Sequence, residues 1–69
     1  MQDTYFGRVV AFDDRRGRGE VETATLRYPF HCTAIADGSR TVPEGAEVQF
    51  ELVIGPLGQL EAAAIRPPA

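Results

Sequence analysis

The chain has 69 residues, of which 43% are hydrophobic and 25% charged, and its formal net charge is -3. A chain of this length allows one domain with a small core, because folding at this size buries only about 60% of the surface that the unfolded chain exposes. The composition excludes the highly charged, weakly hydrophobic class of disordered chains, and the negative charge argues against strong nonspecific binding to a polyanion.

Cysteine and histidine each occur once, as the neighbours His31 and Cys32. One cysteine cannot close an intramolecular disulfide, and the pair cannot assemble a metal site, since adjacent strand residues point to opposite faces. No stretch reaches the roughly 20 apolar residues of a membrane span, and the N-terminal segment lacks the features of a signal peptide. We therefore expect a cytoplasmic protein without cofactor, metal or membrane partner.

The first half of the chain predicts three short strands. Residues 5–12 are rich in β-branched and aromatic types and end at a turn with two aspartates and two glycines. Residues 20–25 alternate polar and apolar types, which predicts a half-buried strand with Val21 inward. A third strand over residues 28–35 contains Pro29, which cannot donate to a ladder and therefore indicates a strand start, an edge or a bulge.

The second half predicts two more strands. Residues 46–54 have the clearest period-two pattern, in which Phe50 lies on the core face, and Phe30 in the third strand is assigned to the core as well. Residues 59–65 are alanine-rich, but they are too few for a stable helix and are followed by two prolines, so a strand is the prediction. Five short strands favour a closed sheet without exposed edges.

The predicted fold class is therefore all-β. We expect a five-stranded antiparallel barrel of the oligonucleotide-binding (OB) type over about residues 5–66 of a single domain, residues 1–69.

Three motifs follow one another in a recognisable order: "RRGRGEVE" at 15–22, "YPFHCTAI" at 28–35 and "EGAEVQFEL" at 44–52. Together with "GRVVAF" before them and "EAAAI" after them, they resemble the bacterial cold-shock domain from Gly7 to Ile65. The resemblance implies an outer face on the first three strands that stacks bases of single-stranded DNA or RNA on aromatic rings flanked by lysines, each stacked base contributing about 1–3 kcal/mol.

Most of the rings that the resemblance implies are missing. Val10 stands where the family has a lysine, and Arg16 replaces another. Phe12 and His31 are what remains of the family's stacking residues. At the family's aromatic positions this chain has Ala11, Arg18, Glu20, Pro29, Cys32 and Ser39.

Arg15, Arg16 and Arg18 form a basic cluster in and after the first turn, with Arg8 and Arg40 as candidate neighbours. They could form a phosphate track in which the Arg18 guanidinium stacks on a base. They could equally be solvated and paired with nearby carboxylates. Strand alternation puts Glu20 on the same outer face, where its carboxylate would repel a nucleic-acid backbone.

The remaining candidates also have two interpretations. His31 could stack on or hydrogen-bond a base, as the resemblance implies, or be an exposed strand residue without a role. Phe12 could stack on a base or belong to the core. Cys32 is interpreted as an apolar filler and not as a nucleophile, because strand geometry should turn its side chain away from His31.

Two functions follow from these observations, and an enzyme is not expected because no nucleophile and base pair or phosphate loop is present. One is weak or altered binding of single-stranded RNA or DNA through Phe12, Arg15, Arg16, Arg18, His31 and Arg40. The alternative is a barrel without nucleic-acid binding that acts as a protein-interaction or homo-oligomerisation module. Its contact surface would be an apolar patch, provided that all four members are exposed: Val10, Ala11, Pro29 and Cys32.

Overall fold

The computed structural model describes residues 3–68. They form one antiparallel sheet with the strand order β3-β2-β1-β4-β5, so the predicted all-β class and the five antiparallel strands are confirmed. A short 3-10 helix follows β3 over Cys32–Ala34. The strands are β1 (Tyr5–Asp13), β2 (Arg18–Glu22), β3 (Arg27–His31), β4 (Glu47–Ile54) and β5 (Leu60–Arg66).

The two ends of the sheet, β3 and β5, are not joined by a hydrogen-bonded ladder within residues 3–68. A single parallel bridge between Ile35 and Ile65 connects the segment after β3 to the end of β5. The amide of Ala36 donates to the Ile65 carbonyl there at 2.8 Å. Pro29 therefore lies in an edge strand of the sheet, one of the three positions predicted for it.

Two strands are shorter or shifted relative to the prediction, for local reasons. β2 ends at Glu22 because the Thr23 hydroxyl oxygen accepts from the Leu26 amide at 3.1 Å and starts the turn that closes the β2–β3 hairpin. β3 ends at His31, where the ring accepts from the Thr33 amide at 3.3 Å and caps the 3-10 helix. The predicted continuation of the third strand to residue 35 is therefore wrong.

The core is a single cluster between the strands, centred on Phe50. The Phe50 side chain is 0% exposed and lies between the rings of Tyr5 and Tyr28, with ring centroids 5.9 and 6.2 Å away. Phe30 is buried too, so both core assignments are confirmed. The buried apolar residues are Val9, Val21, Phe30, Ile35, Val48, Phe50, Ala62 and Ile65.

The loop between the 3-10 helix and β4 is held by its own side chains. The Asp37 carboxylate accepts from the Ser39 amide at 2.8 Å, and this hydrogen bond lowers the pKa of the Asp37 carboxyl. The Ser39 hydroxyl donates to the Thr41 carbonyl at 3.0 Å. These contacts shape the loop that leads into Pro43 and covers one end of the core.

Candidate nucleic-acid interface

The turn between β1 and β2 is built around Asp13. Its carboxylate accepts from the amides of Arg15 and Arg16 at 3.1 and 3.2 Å, and its carbonyl accepts from the Gly17 amide at 2.8 Å. Gly17 has a φ of 66°, and a side chain there would lie 2.9 Å from the Cys32 sulfur. Because the Gly17 carbonyl also accepts from the Cys32 amide at 2.7 Å, the turn is held against the end of β3.

This turn places Arg18 between Asp13 on β1 and His31 on β3, at the end of the sheet. All three side chains are exposed. The arginines differ in their partners, because Arg16 pairs with Asp13 at 3.7 Å, whereas within residues 3–68 Arg15 and Arg18 form no ion pair. We call the group Arg15, Arg16, Arg18 and His31 the cationic end.

Glu20 and Glu22 share a partner that sequence reasoning did not single out. The Arg27 guanidinium on β3 lies 2.8 Å from the Glu22 carboxylate and 3.8 Å from that of Glu20. Glu22 and Arg27 lie opposite each other in the β2–β3 hairpin. The turn residues between Glu22 and Arg27 could have indicated this register from the sequence. All three side chains are exposed enough that these pairs contribute little to stability, but Arg27 offsets the negative charge beside Arg18.

The His31 ring is oriented by the backbone that follows it. Nδ1 accepts from the Thr33 amide at 3.3 Å and lies 3.1 Å from the Thr33 hydroxyl. In the neutral ring this leaves Nε2 with the hydrogen, as a donor for a ligand. The Cys32 sulfur lies 3.8 Å from His31 Nδ1, so the prediction that the two side chains point apart is wrong: Cys32 belongs to the 3-10 helix and not to the strand.

Phe12 points toward the core. Its ring stacks on that of Phe30 with a centroid distance of 5.9 Å and an interplanar angle of 11°, and both rings cover Gly19. Phe12 is half-buried, and its remaining surface borders a shallow depression of about 390 Å³ beside Arg18 and Pro29. A stacking role on a base stays a prediction.

Two other candidates have no hydrogen bond or ion pair with the cationic end within residues 3–68. Arg8 lies on β1, opposite Glu22 and Glu47. Arg40 lies in the loop before β4 with a φ of 61° and forms no ion pair in the same part of the chain. Of the six predicted site residues, the structure thus places Arg15, Arg16, Arg18 and His31 in one turn and the strand ends beside it, while Phe12 packs against Phe30.

A groove of about 340 Å³ separates the cationic end from the β4–β5 turn. One wall carries Arg18, Pro29 and His31, and the other is formed by Leu57 and its neighbours in the turn. This turn was not among the predicted site residues, and the only sequence signal for it was a leucine within the turn sequence GPLG at residues 55–58.

No model of a known protein family matches the chain, and a search of curated proteins found no match either. Within residues 3–68, no helix is long and apolar enough to cross a lipid bilayer. The same part of the chain has no group of three or more His, Cys, Asp or Glu side chains placed to hold a metal ion.

Proposed function

We propose that this chain binds single-stranded DNA or RNA weakly, through the cationic end, as a cold-shock-like domain in which most aromatic contacts are missing and Arg18 stands at one of their positions. The observation that supports the proposal is the pairing of Arg18 with His31 on adjacent strands, both exposed, with no carboxylate within ion-pair distance of Arg18 among residues 3–68.

The chemistry of the two side chains fits a nucleotide. A guanidinium can hold a phosphate with two parallel hydrogen bonds or stack on a base, and the His31 ring offers a flat face and a free donor. Arg27 draws the Glu20 and Glu22 carboxylates toward itself, so the phosphate meets less repulsion than the net charge of -3 suggests.

The proposal includes a barrel of the OB type. Its support is the strand order, which leaves β3 and β5 as the two edges, and the Ile35–Ile65 bridge that links the segments beside them. Closure of the sheet by side-chain packing across the β3–β5 gap would present β1, β2 and β3 as one curved outer surface.

The alternative expectation, a protein contact through an apolar patch on the same face, has less support. A protein contact there requires that the four residues of the patch are exposed. In the structure all four are half-buried: Val10, Ala11, Pro29 and Cys32.

We expect titration of fluorescently labelled single-stranded oligonucleotides, followed by anisotropy, to show binding at low salt. Three contributing cations give a log–log salt slope of about -2, so a fourfold rise in salt should weaken binding about 16-fold. Arg18→Ala should weaken binding about 5- to 30-fold, because it removes a charge-assisted contact. Absence of binding at low salt would refute the proposal.

Arg8→Ala is the matched control for Arg18→Ala. It changes the net charge equally, but Arg8 is paired in register with Glu22, four residues along β2 from Arg18, or about 13 Å away. At physiological salt this distance exceeds the screening length of about 8 Å, so binding should change less than twofold. Equal losses in the two variants would show that only the overall charge matters.

Removing the carboxylate beside Arg18 should act in the opposite direction. Glu20→Gln is expected to strengthen oligonucleotide binding about two- to fivefold at low salt, because it lowers repulsion of the phosphates without changing the size of the side chain. The gain should vanish as salt is raised. Weaker binding of Glu20→Gln in the same anisotropy assay would place the nucleic acid elsewhere.

A further inference from the structure

The turn between β4 and β5 carries the most exposed apolar side chains of the described region. Leu57 is 88% exposed and Ile54 70% exposed, and Ile54 is paired across the hairpin with the exposed Leu60. We call Ile54, Leu57 and Leu60 the hairpin tip. Isolated exposed apolar residues are ordinary, but three of them on one projecting turn are typical of a contact surface.

The backbone holds the hairpin tip in one projecting shape. The Gly55 amide donates to the Gln59 carbonyl at 2.7 Å, and the Gly58 amide donates to the Gly55 carbonyl at 3.0 Å. A side chain at Gly58 would have no heavy atom within 4 Å, so this part of the turn is open to solvent, whereas Leu57 borders the groove beside Arg18 and His31. A turn that is already ordered loses little entropy when it is bound.

An apolar pocket of about 530 Å³ lies at the opposite end of the β4–β5 hairpin. Its floor is the end of the core, formed by Ile35, Val48 and Ile65. Val42 and Ala46 form part of its wall, and Asp37, Glu47 and Arg66 are its charged residues. We call it the end pocket. Its volume exceeds that of the roughly 150 Å³ apolar cavities that accept a benzene molecule, so it has room for a leucine side chain.

The hairpin tip and the end pocket cannot meet within one copy. Ile54 and Val48 are six residues apart on β4, which corresponds to about 20 Å. A projecting apolar group and an apolar pocket at opposite ends of one molecule are complementary only between copies. Residues 53–60 carry no charge, so the tip can approach Asp37 and Glu47 without repulsion, although each copy has a net charge of -3.

We propose that copies of this chain associate head to tail, with Leu57 of one copy inserted in the end pocket of the next. Such a contact forms a ring if the rotation between copies closes and an open chain if it does not. The contact is small, and a stable specific interface usually buries at least about 1,000 Å², so the association is weak and depends on concentration. The contact does not use the Arg18 side chain, but Leu57 also lines the groove beside Arg18 and His31, so association is measured without oligonucleotide.

Sedimentation equilibrium of the purified chain from micromolar to millimolar concentration tests this proposal. The average mass should rise above that of one chain as concentration increases. Leu57→Asp should lower the association constant about 10- to 100-fold, as expected when one buried leucine is lost. Leu26→Asp is the matched control, because Leu26 is 56% exposed but lies in the β2–β3 turn, and it should associate like the wild type.

A mixing experiment distinguishes head-to-tail contact from other modes. Ala36→Trp adds a ring at an exposed residue that lines the end pocket, which should fill the pocket and prevent association. Ala36→Trp has a blocked pocket but an intact tip, whereas Leu57→Asp has a damaged tip but an intact pocket. Each variant should therefore be monomeric alone. In a mixture, the tip of Ala36→Trp can enter the pocket of Leu57→Asp, so 1:1 dimers should form. Thermal melting of both variants checks that they fold. If Ala36→Trp does not fold, Thr41→Trp takes its place, because Thr41 is also exposed and also lines the pocket.

The proposal is overturned if the wild type stays monomeric, or if folded Ala36→Trp still associates, which would indicate tip-to-tip contact. Failure of the mixture to form dimers would also overturn it. Arg18→Ala should associate like the wild type, so the outcome here and the outcome of the oligonucleotide titration are independent.

Discussion

Replacing Phe50 by alanine is expected to cause a large loss of stability. The side chain is fully buried and fills the space between two tyrosine rings, so its truncation should cost about 3–5 kcal/mol. Domains of this length have a total stability of about 3–10 kcal/mol, at 0.05–0.15 kcal/mol per residue. A loss of this size therefore removes between about a third and all of the free energy of unfolding.

Urea unfolding followed by far-ultraviolet circular dichroism measures this loss. The chain has no tryptophan and only two tyrosines, both in ring contact with Phe50, so tyrosine fluorescence reports on the same region. Leu26→Ala is the control, because this leucine is exposed and its truncation should change stability by no more than about 0.5 kcal/mol. If both substitutions cost the same, the aromatic cluster does not hold the sheet together.

Gly19→Ala is expected to destabilise the domain by about 1–3 kcal/mol through overpacking. The added Cβ would lie 2.6 Å from the Ala11 carbonyl oxygen, 2.6 Å from Phe30 Cζ and 2.9 Å from Phe12 Cδ1. Two of these neighbours are rings in the stack that separates the core from the outer face. The substitution should therefore move β2 relative to β1 next to Arg18, and weaken oligonucleotide binding as well.

A double-mutant cycle tests whether the clash of the added Cβ with the Phe30 ring causes this loss of stability. Phe30→Leu shortens the side chain that comes closest to the added Cβ, so the double variant should be more stable than the sum of the two single losses predicts. Unfolding free energies from urea titration give the coupling. Glu20→Ala, at the exposed neighbouring position, should change stability little. Additive losses in the cycle would show that contact with Phe30 is not the reason for glycine at this position.

The sheet could be predicted well where the residue types along a strand are distinctive. β1 and β4 begin and end within one residue of the predicted strands, β1 because of its β-branched and aromatic residues and β4 because of its alternating apolar and polar residues. The predictions for β2 and β3 were less accurate because their ends depend on single side-chain hydrogen bonds. Thr23 ends β2 and His31 ends β3, and neither bond is visible in a hydropathy pattern.

For the candidate site, the sequence predicted which residues belong to it better than it predicted how they are arranged. Sequence motifs drew attention to Arg15, Arg16, Arg18 and His31. The strand register pairs Arg18 with His31, and Asp13 holds Arg15 and Arg16 in the adjoining turn. The turn signal after Glu22 could have indicated that Arg27 pairs with Glu22, but not that Arg27 also lies beside Glu20, since the second contact depends on the rotamer.

By itself, the sequence determined the all-β class, the approximate number and order of strands, and the assignment of Phe30 and Phe50 to the core. These properties follow from local patterns that each strand carries alone. Only the tertiary structure decided which arginines are paired, that Phe12 faces the core over Gly19, and that an apolar tip and an apolar pocket lie at opposite ends of one hairpin. Those properties depend on distances between residues far apart in the chain, which no local pattern specifies.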